Sequence, residues 1–295
     1  MESLMYKNRL PSKGNKRNYL NDQTADVFFV FETEYKKVPA HKSVLSQNST
    51  AFKSMFNNTS DQNGVIKVVD FTSGAFKEFL QFFYLAKVQL TSANVMEVMR
   101  LGRKFAVKNC LDACAELCKS MLTMDTMCWG YELAIRFELD DLRAFCERKI
   151  SENPEKIFHS ISFLLCEPNV LQQILQLDSM DCDETMVFDG CMAWAKSTCI
   201  EKELDENLVE NLRRQLGDLI YDIRFSAMNI VEFYDRYCMY EGLFSVEEFE
   251  NIITMIALKQ CDSKKFNKHP RNKIIQQKSD FISFKQRVIN TFKTS

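Results

Sequence analysis

Eleven cysteines and three histidines are the residues of this 295-residue chain with the most chemistry to offer. Cys110, Cys114 and Cys118 recur every four positions, which sets their thiols near one stripe of a helix. A zinc site would need further ligands, and structural zinc favours closely spaced Cys pairs carried on turns. Their apolar neighbours make them small core-facing residues instead, the ordinary fate of free cysteine. Cys182, Cys191 and Cys199 flank another apolar stretch with no histidine nearby and take the same reading. His41 stands at a helix start, where a structural hydrogen-bonding role is expected, while His159 and His269 fall in a break and in a basic tail. A Ser-His-Asp or Cys-His nucleophile needs a sharp strand-to-helix turn, and none is visible. Neither a Gly-x-Gly-x-x-Gly loop nor a Walker loop occurs. The acidic pairs Asp140-Asp141 and Glu247-Glu248 suit helix N-termini, where the dipole favours negative charge. The expectation is a non-enzymatic protein with no metal, no cofactor and no small-molecule ligand.

The elements that would position any site begin at Asp26. Val27-Phe28-Phe29-Val30-Phe31 reads as a strand, and its near-continuous apolarity predicts burial on both faces. Glu32-Thr33-Glu34 is a polar turn, and Tyr35 to Val38 returns as a second strand that Pro39 is expected to end. Val44, Leu45, then Phe52, Met55 and Phe56 across a Ser/Asn break predict two short helices. Val65 to Val69 is the next strand. Thr72 or Ser73 caps a helix with Phe76, Phe79, Leu80, Phe83 and Tyr84 on its apolar positions. Val88 to Leu90 is a brief edge strand; Ser92 caps a helix through Phe105, and another carries Cys110 to Met121. From Thr126 the pattern is helical throughout: Met127 to Phe137, Asp140 to Ser151, Asn169 to Leu177, a helix capped at Asp183 or Glu184 and running to Ser197, and Val209 to Ile220. Pro154 and Pro168 are read as breaks.

Composition agrees with a mostly helical fold. Eight Gly and five Pro are too few for a loop-rich β protein, and 46% hydrophobic residues suffice for two cores. No stretch approaches a membrane span, and the first residues lack the apolar centre of a secretion signal. An odd number of cysteines inside apolar segments points to a reducing compartment, the cytosol with the nucleus as the other choice. The net charge of −2 hides an asymmetry. Residues 1–20 hold five basic residues against one acidic, residues 264–295 nine against one, so the body between carries −14. Direct nucleic-acid binding is not expected, because that body would repel phosphate and no Cys₂His₂ spacing occurs. Ser279 or Asp280 can cap a helix carrying Phe281, Phe284, Val288 and Phe292 among Lys278, Lys285, Arg287 and Lys293. Such a basic amphipathic helix can lie on anionic membrane or in a partner groove, and the acidic body within reach favours folding back.

The run "VPAHKSVLSQNSTAFKSMF", following a strand that opens Asp-Val, closely resembles the BTB (POZ) domain, with His41-Lys42 and Phe52-x-x-Met55-Phe56 as its most specific marks. The element order extends the resemblance from about residue 20 to residue 122. "YELAIRFELDDLRAFCERKI" and "MVFDGCMAWAKS" look like the helical BACK domain that follows many BTB domains. "LGDLIYDIRFSAMNIVEFYDRYCMYEGLFSVEEF" is similar to the end of BACK in a branch that continues into a β-sandwich called PHR. The residues after Met255 are too few for such a sandwich of ~100 residues. The resulting expectation is an α+β, mostly α chain. A basic disordered segment (1–20) precedes a BTB domain (21–122), a BACK helical domain (123–258) and a basic tail (259–295).

For function, the resemblance implies a substrate adaptor of a cullin-RING ubiquitin ligase, in the ubiquitin conjugation pathway, working as a BTB homodimer. A homodimeric scaffold or transcriptional co-regulator without cullin binding is the alternative. The family's dimer pairs an acidic residue of the first strand with a basic one of the following helix in a shared groove, positions matched here by Asp26 and Lys42. Its cullin-facing surface is matched by Phe52, Met55, Tyr84 and Lys87. Strong cullin binders carry an apolar-x-Glu motif in the loop after the Phe-x-x-Met-Phe helix, whereas Asn57 to Gly64 has neither an apolar residue nor Glu. Losing one such anchor costs roughly 1–2 kcal/mol, so weak cullin binding is expected. The partner set is thus a second copy, a cullin scaffold and an unidentified protein substrate.

Overall fold

The computed structural model describes residues 3–7, 15–58, 64–85, 87–91, 93–258, 265–267, 269 and 271. They divide into two compact units, residues 1–122 with 133–143, and residues 123–132 with 144–295.

In the first unit, strands β1 (Ser3–Lys7), β2 (Val27–Phe31) and β3 (Lys36–Ala40) precede helices α1 (Lys42–Asn48) and α2 (Thr50–Asn58). Strand β4 (Val65–Lys67), helix α3 (Ser73–Tyr84), strand β5 (Lys87–Thr91) and helices α4 (Val95–Lys104) and α5 (Lys108–Met121) follow. One sheet has the order β3-β2-β4, antiparallel on one side of β2 and parallel on the other. The parallel pairing brings the chain so close at Gly64 that a Cβ there would meet Asp26 O at 2.7 Å, and Gly64 also has a φ of +64°.

Three expectations are corrected here. The strand at Val27 is buried on one face: Val27, Phe29 and Phe31 have no exposure, while Phe28 and Val30 are half-buried, and Lys37 Nζ sits 3.6 Å from the Phe28 ring centroid. Pro39 does not end the second strand but lies within β3 opposite Phe28, which an edge strand tolerates because its outer N–H has no ladder partner. Ser3–Lys7, expected to be loose, pairs antiparallel with β5, Leu4 opposite Leu90 and Tyr6 opposite Val88. The pairing satisfies backbone groups of β5 that an open edge would leave bare.

Helix α3 supplies the core of this unit because it is apolar around most of its circumference. Phe76, Phe79, Leu80, Phe82, Phe83 and Tyr84 are all buried. Phe52 reaches in from α2 and stacks on Phe105 at 4.1 Å between centroids and 10°, with Phe29 and Phe83 edge-on at 5.9 and 5.7 Å. Burying one such ring stabilises by about 1.5–3 kcal/mol.

The second unit is all helical. It draws on the first half of α6 (Met127–Phe137) and most of α7 (Asp140–Glu152), whose residues 133–143 belong to the first unit, and on α8 (Pro154–Phe158), α9 (Ile161–Leu164), α10 (Pro168–Leu175), α11 (Glu184–Glu201), α12 (Val209–Leu216), α13 (Ile230–Met239) and α14 (Val246–Leu258). Pro154 and Pro168, read as breaks, open α8 and α10, where the missing N–H would have had no helical partner. Asp183 caps α11 through Met186 N at 2.9 Å, and Asn229 with Glu232 forms a capping box on α13. Gly190 lets α11 approach α8: a Cβ there would lie 2.9 Å from Phe158 Cγ. The helix expected over Ser279 to Phe292 lies outside the described residues.

Candidate functional site

The expected site residues meet around the N-terminus of α1. Its first residue, Lys42, donates its backbone N–H to Asp26 Oδ1 at 2.7 Å, so Asp26 caps the helix from sixteen positions upstream. The Lys42 ammonium reaches elsewhere, 6.0 Å from the Phe56 ring centroid. Among the described residues Asp26 and Lys42 are therefore joined through backbone, with no ion pair between their side chains. Asp26 is exposed and Lys42 half-exposed, which leaves both open to another molecule.

Behind them His41 is buried at 7% exposure, and its two ring nitrogens meet Thr24 Oγ1 at 2.9 Å and the Tyr84 hydroxyl at 3.2 Å. Tyr84 Oη also accepts from the His41 backbone N–H at 2.9 Å. Burial foremost raises the Tyr84 phenol above its ordinary range, and the Asp26 carboxylate adds to this. Tyr19 lies on Tyr84 at 5.9 Å between centroids and donates to Lys77 O at 2.9 Å; burial pushes its phenol up to about 12. His41 is thus a structural strut that joins the segment before β2 to the end of α3.

Tyr84 and Phe52, expected to face a cullin, are corrected. At 1% and 0% exposure they belong to the core and offer no surface to a partner. The physical reason is α3 itself: with nearly every face apolar, its last turn is drawn inward, and α2 turns its Phe52 edge towards it. Met55 is half-exposed, and the Lys87 side chain and residues 59–63 of the loop lie outside the described residues. The accessible outer face of α2 is made by Lys53, Ser54, Asn57 and Asn58.

Two carboxylates that sequence reasoning missed hold the start of α3. Glu34 accepts from Ser73 N at 2.6 Å and Ser73 Oγ at 2.7 Å, and the backbone bond foremost lowers its carboxyl to about 2. Glu97 accepts from Thr72 N and, at 2.9 Å, from Thr72 Oγ1. Both come from distant segments, so no local spacing announces them. A groove of about 460 Å³ is lined by Phe71, Met96, Arg100, Lys104, Arg136 and Phe137, with Arg103 beside them. Its cations lie over its rings, Arg100 at 5.4 Å and Lys104 at 5.0 Å from Phe71. Asp70 and Glu138 already meet Lys104 at 3.2 Å and Arg103 at 3.6 Å.

Six of the described cysteines are held as thiols by burial. Burial pushes the thiols of Cys118, Cys166 and Cys182 up to about 12 and raises those of Cys110, Cys128 and Cys191 as well. A thiol so raised stays protonated at neutral pH, which suits neither nucleophile nor metal ligand. Among the described residues no cluster of three or more His, Cys, Asp or Glu is placed to hold a metal ion, and no helix is long and apolar enough to cross a membrane.

Residues 16–122 match the family model of the BTB/POZ domain, and residues 127–229 match that of BACK, the BTB And C-terminal Kelch domain. The chain is similar to human BTB/POZ domain-containing protein 3, at 25% identity over 267 residues, covering 90% of this chain and 51% of that protein. It is similar to zebrafish (Danio rerio) BTB/POZ domain-containing protein 6-B at 28% over 222 residues, covering 74% and 46%. The chain therefore spans about half the length of the curated relatives it matches. Among solved structures, the BTB domain of zebrafish PATZ1 aligns at 21% identity and a TM-score of 0.30, over 36% of this chain and 84% of that one. The BTB domain of human gigaxonin aligns at 14% and 0.31, over 35% and 84%.

Proposed function

This chain carries a BTB/POZ domain followed by a BACK domain, and from that premise we propose that it is a substrate adaptor of a cullin-RING ubiquitin ligase, working as a homodimer. At the coarser level it is a protein-interaction chain: BTB and BACK domains hold partners, and its resources are surfaces rather than reactive groups. The observation that carries the reading is the succession of the two domains over residues 16–229.

The geometry supports particular surfaces for each contact. Exposed Asp26 and half-exposed Lys42 at the start of α1 suit the dimer contact. The exposed outer face of α2, Lys53 and Ser54 with half-exposed Met55, suits the cullin contact in place of buried Phe52 and Tyr84. The loop after α2 lacks the apolar-x-Glu motif, which favours weak binding. Cytosol and nucleus are the compartments this reading requires.

Two measurements test it. Light scattering of the intact chain should give twice its 34.5 kDa mass at micromolar concentration, and a monomer would refute the dimer. Calorimetric titration with a cullin N-terminal domain should show micromolar binding that disappears in a Lys53→Glu/Ser54→Arg variant with unchanged circular dichroism. No heat at tens of micromolar would leave the scaffold or co-regulator reading in its place.

A further inference from the structure

Beyond α14, the chain inserts two side chains into the second unit, the first of them eight positions after Leu258. Phe266 is buried at 4% exposure, edge-on to Tyr221 and Phe225 with centroids at 5.1 and 5.8 Å. The Asn267 backbone N–H donates to Tyr221 O at 2.9 Å. Arg271 follows, its side chain 4% exposed, in a cage of acceptors. Its Nε and Nη2 donate to the two Glu184 carboxylate oxygens at 3.1 and 3.3 Å, and its Nη1 donates to Leu175 O at 2.6 Å and Leu177 O at 2.7 Å. Leu175 is the last residue of α10, where carbonyls lack helical donors, and Leu177 lies just past the helix. Lys265, just before the first anchor, and His269, between the two, are exposed.

The arrangement is that of a bound linear peptide rather than of a core element. The described residues of the segment contribute neither helix nor strand, and a backbone bond at Asn267 holds them together with two pocketed side chains, an aromatic and an arginine, the residue types that dominate interface energetics. The cage also has a second cation beside it. Arg224, 2% exposed, donates its backbone N–H to Glu184 Oε1 at 2.8 Å and its Nη2 to Leu177 O at 3.2 Å, sharing both acceptors with Arg271, and the same Nη2 pairs with Asp178 Oδ1 at 3.0 Å. Its Nε is buried without a partner while Arg271 is in place. When Arg271 leaves, Arg224 is at hand to meet Glu184, which removes the penalty that an abandoned buried carboxylate would otherwise carry.

We propose that this cage is a peptide-recognition site for protein segments bearing an aromatic residue and an arginine five positions later, with Phe266, Asn267 and Arg271 as its tethered occupant. The inference stands apart from the cullin and dimer readings and concerns a different unit, so neither outcome below bears on them. A tether of a few residues supplies an effective concentration in the millimolar range, so an outside peptide competes poorly until the tethered one is displaced or altered.

The test uses the full chain and a fluorescent synthetic peptide with the sequence of residues 264–273. A Phe266→Ala/Arg271→Ala variant should bind that peptide with micromolar Kd by anisotropy, and the unaltered chain at least about tenfold more weakly. Replacing the peptide's arginine with lysine should weaken binding by about tenfold or more, because an ammonium cannot reproduce the guanidinium fork. A folded variant that ignores the peptide at hundreds of micromolar, or binds the lysine form equally well, overturns the proposal. Hydrogen exchange on the unaltered chain decides the case in which the variant does not fold. A tethered ligand requires the Asn267 amide to exchange by local opening, at least about a hundredfold faster than the central amides of α11. Equal rates would make the segment part of the core and also overturn it.

Discussion

Replacing Tyr84 by phenylalanine separates a core strut from a surface anchor. The substitution keeps the ring, which is 1% exposed, and removes only the hydroxyl. That hydroxyl accepts the His41 backbone N–H at 2.9 Å and lies 3.2 Å from His41 Nδ1. Without it the His41 amide, in a residue 7% exposed, has no acceptor, and a buried unsatisfied donor costs about 1–3 kcal/mol. With a urea slope of about 2 kcal/mol/M, the unfolding midpoint should fall by about 0.5–1.5 M. Tyr84→Ala removes the ring as well and should cost about 3–5 kcal/mol. Urea unfolding followed by near-ultraviolet circular dichroism, with exchange of the His41 amide measured in parallel, reads both effects. If Tyr84→Phe leaves the midpoint and the His41 amide protection unchanged, the strut is wrong.

Glu34 makes stability sensitive to acid. Its folded carboxyl titrates at about 2 against an ordinary 4.5, so the stabilisation is full above about 4.5 and is lost as pH falls through about 2. Glu34→Gln should flatten urea midpoints measured between pH 5 and pH 2, and an unaltered slope would show that the Ser73 contacts contribute nothing. Gly190→Ala should destabilise by about 1–3 kcal/mol, because the new methyl meets the Phe158 ring carbons at 2.9 to 3.2 Å; thermal unfolding checks it, and an unchanged melting temperature would mean that α8 yields freely. Arg236→Ala breaks a bidentate pair with Asp189 at 2.7 and 3.2 Å, yet the carboxylate is half exposed, so the loss should stay within about 1 kcal/mol. A larger loss by the same melt would show that this pair carries structure.

The fold was legible where physics acts over a few residues. Thr72 and Asp183 sit in the sequence at the positions where helices begin, because a cap binds amides two or three residues away. The apolar run after Asp26 and the change of period at Ala40 likewise announce two strands and two helices, and His41 could be read as a hydrogen-bonding residue from its place at that junction. What periodicity could not show is which face of a helix turns inward when most faces are apolar. Helix α3 is such a case, and Phe52 and Tyr84, read as partner contacts, became core residues for that reason. Prolines were misread because the same missing N–H that interrupts a helix is harmless at its first residue or on an edge strand. Pairings across long separations belong to the tertiary structure alone: Glu34 with Ser73, Glu97 with Thr72, β1 with β5, and Arg271 with Glu184. A charge carries no sequence mark of the partner it will meet, since that partner is chosen by which surfaces the packed cores bring together.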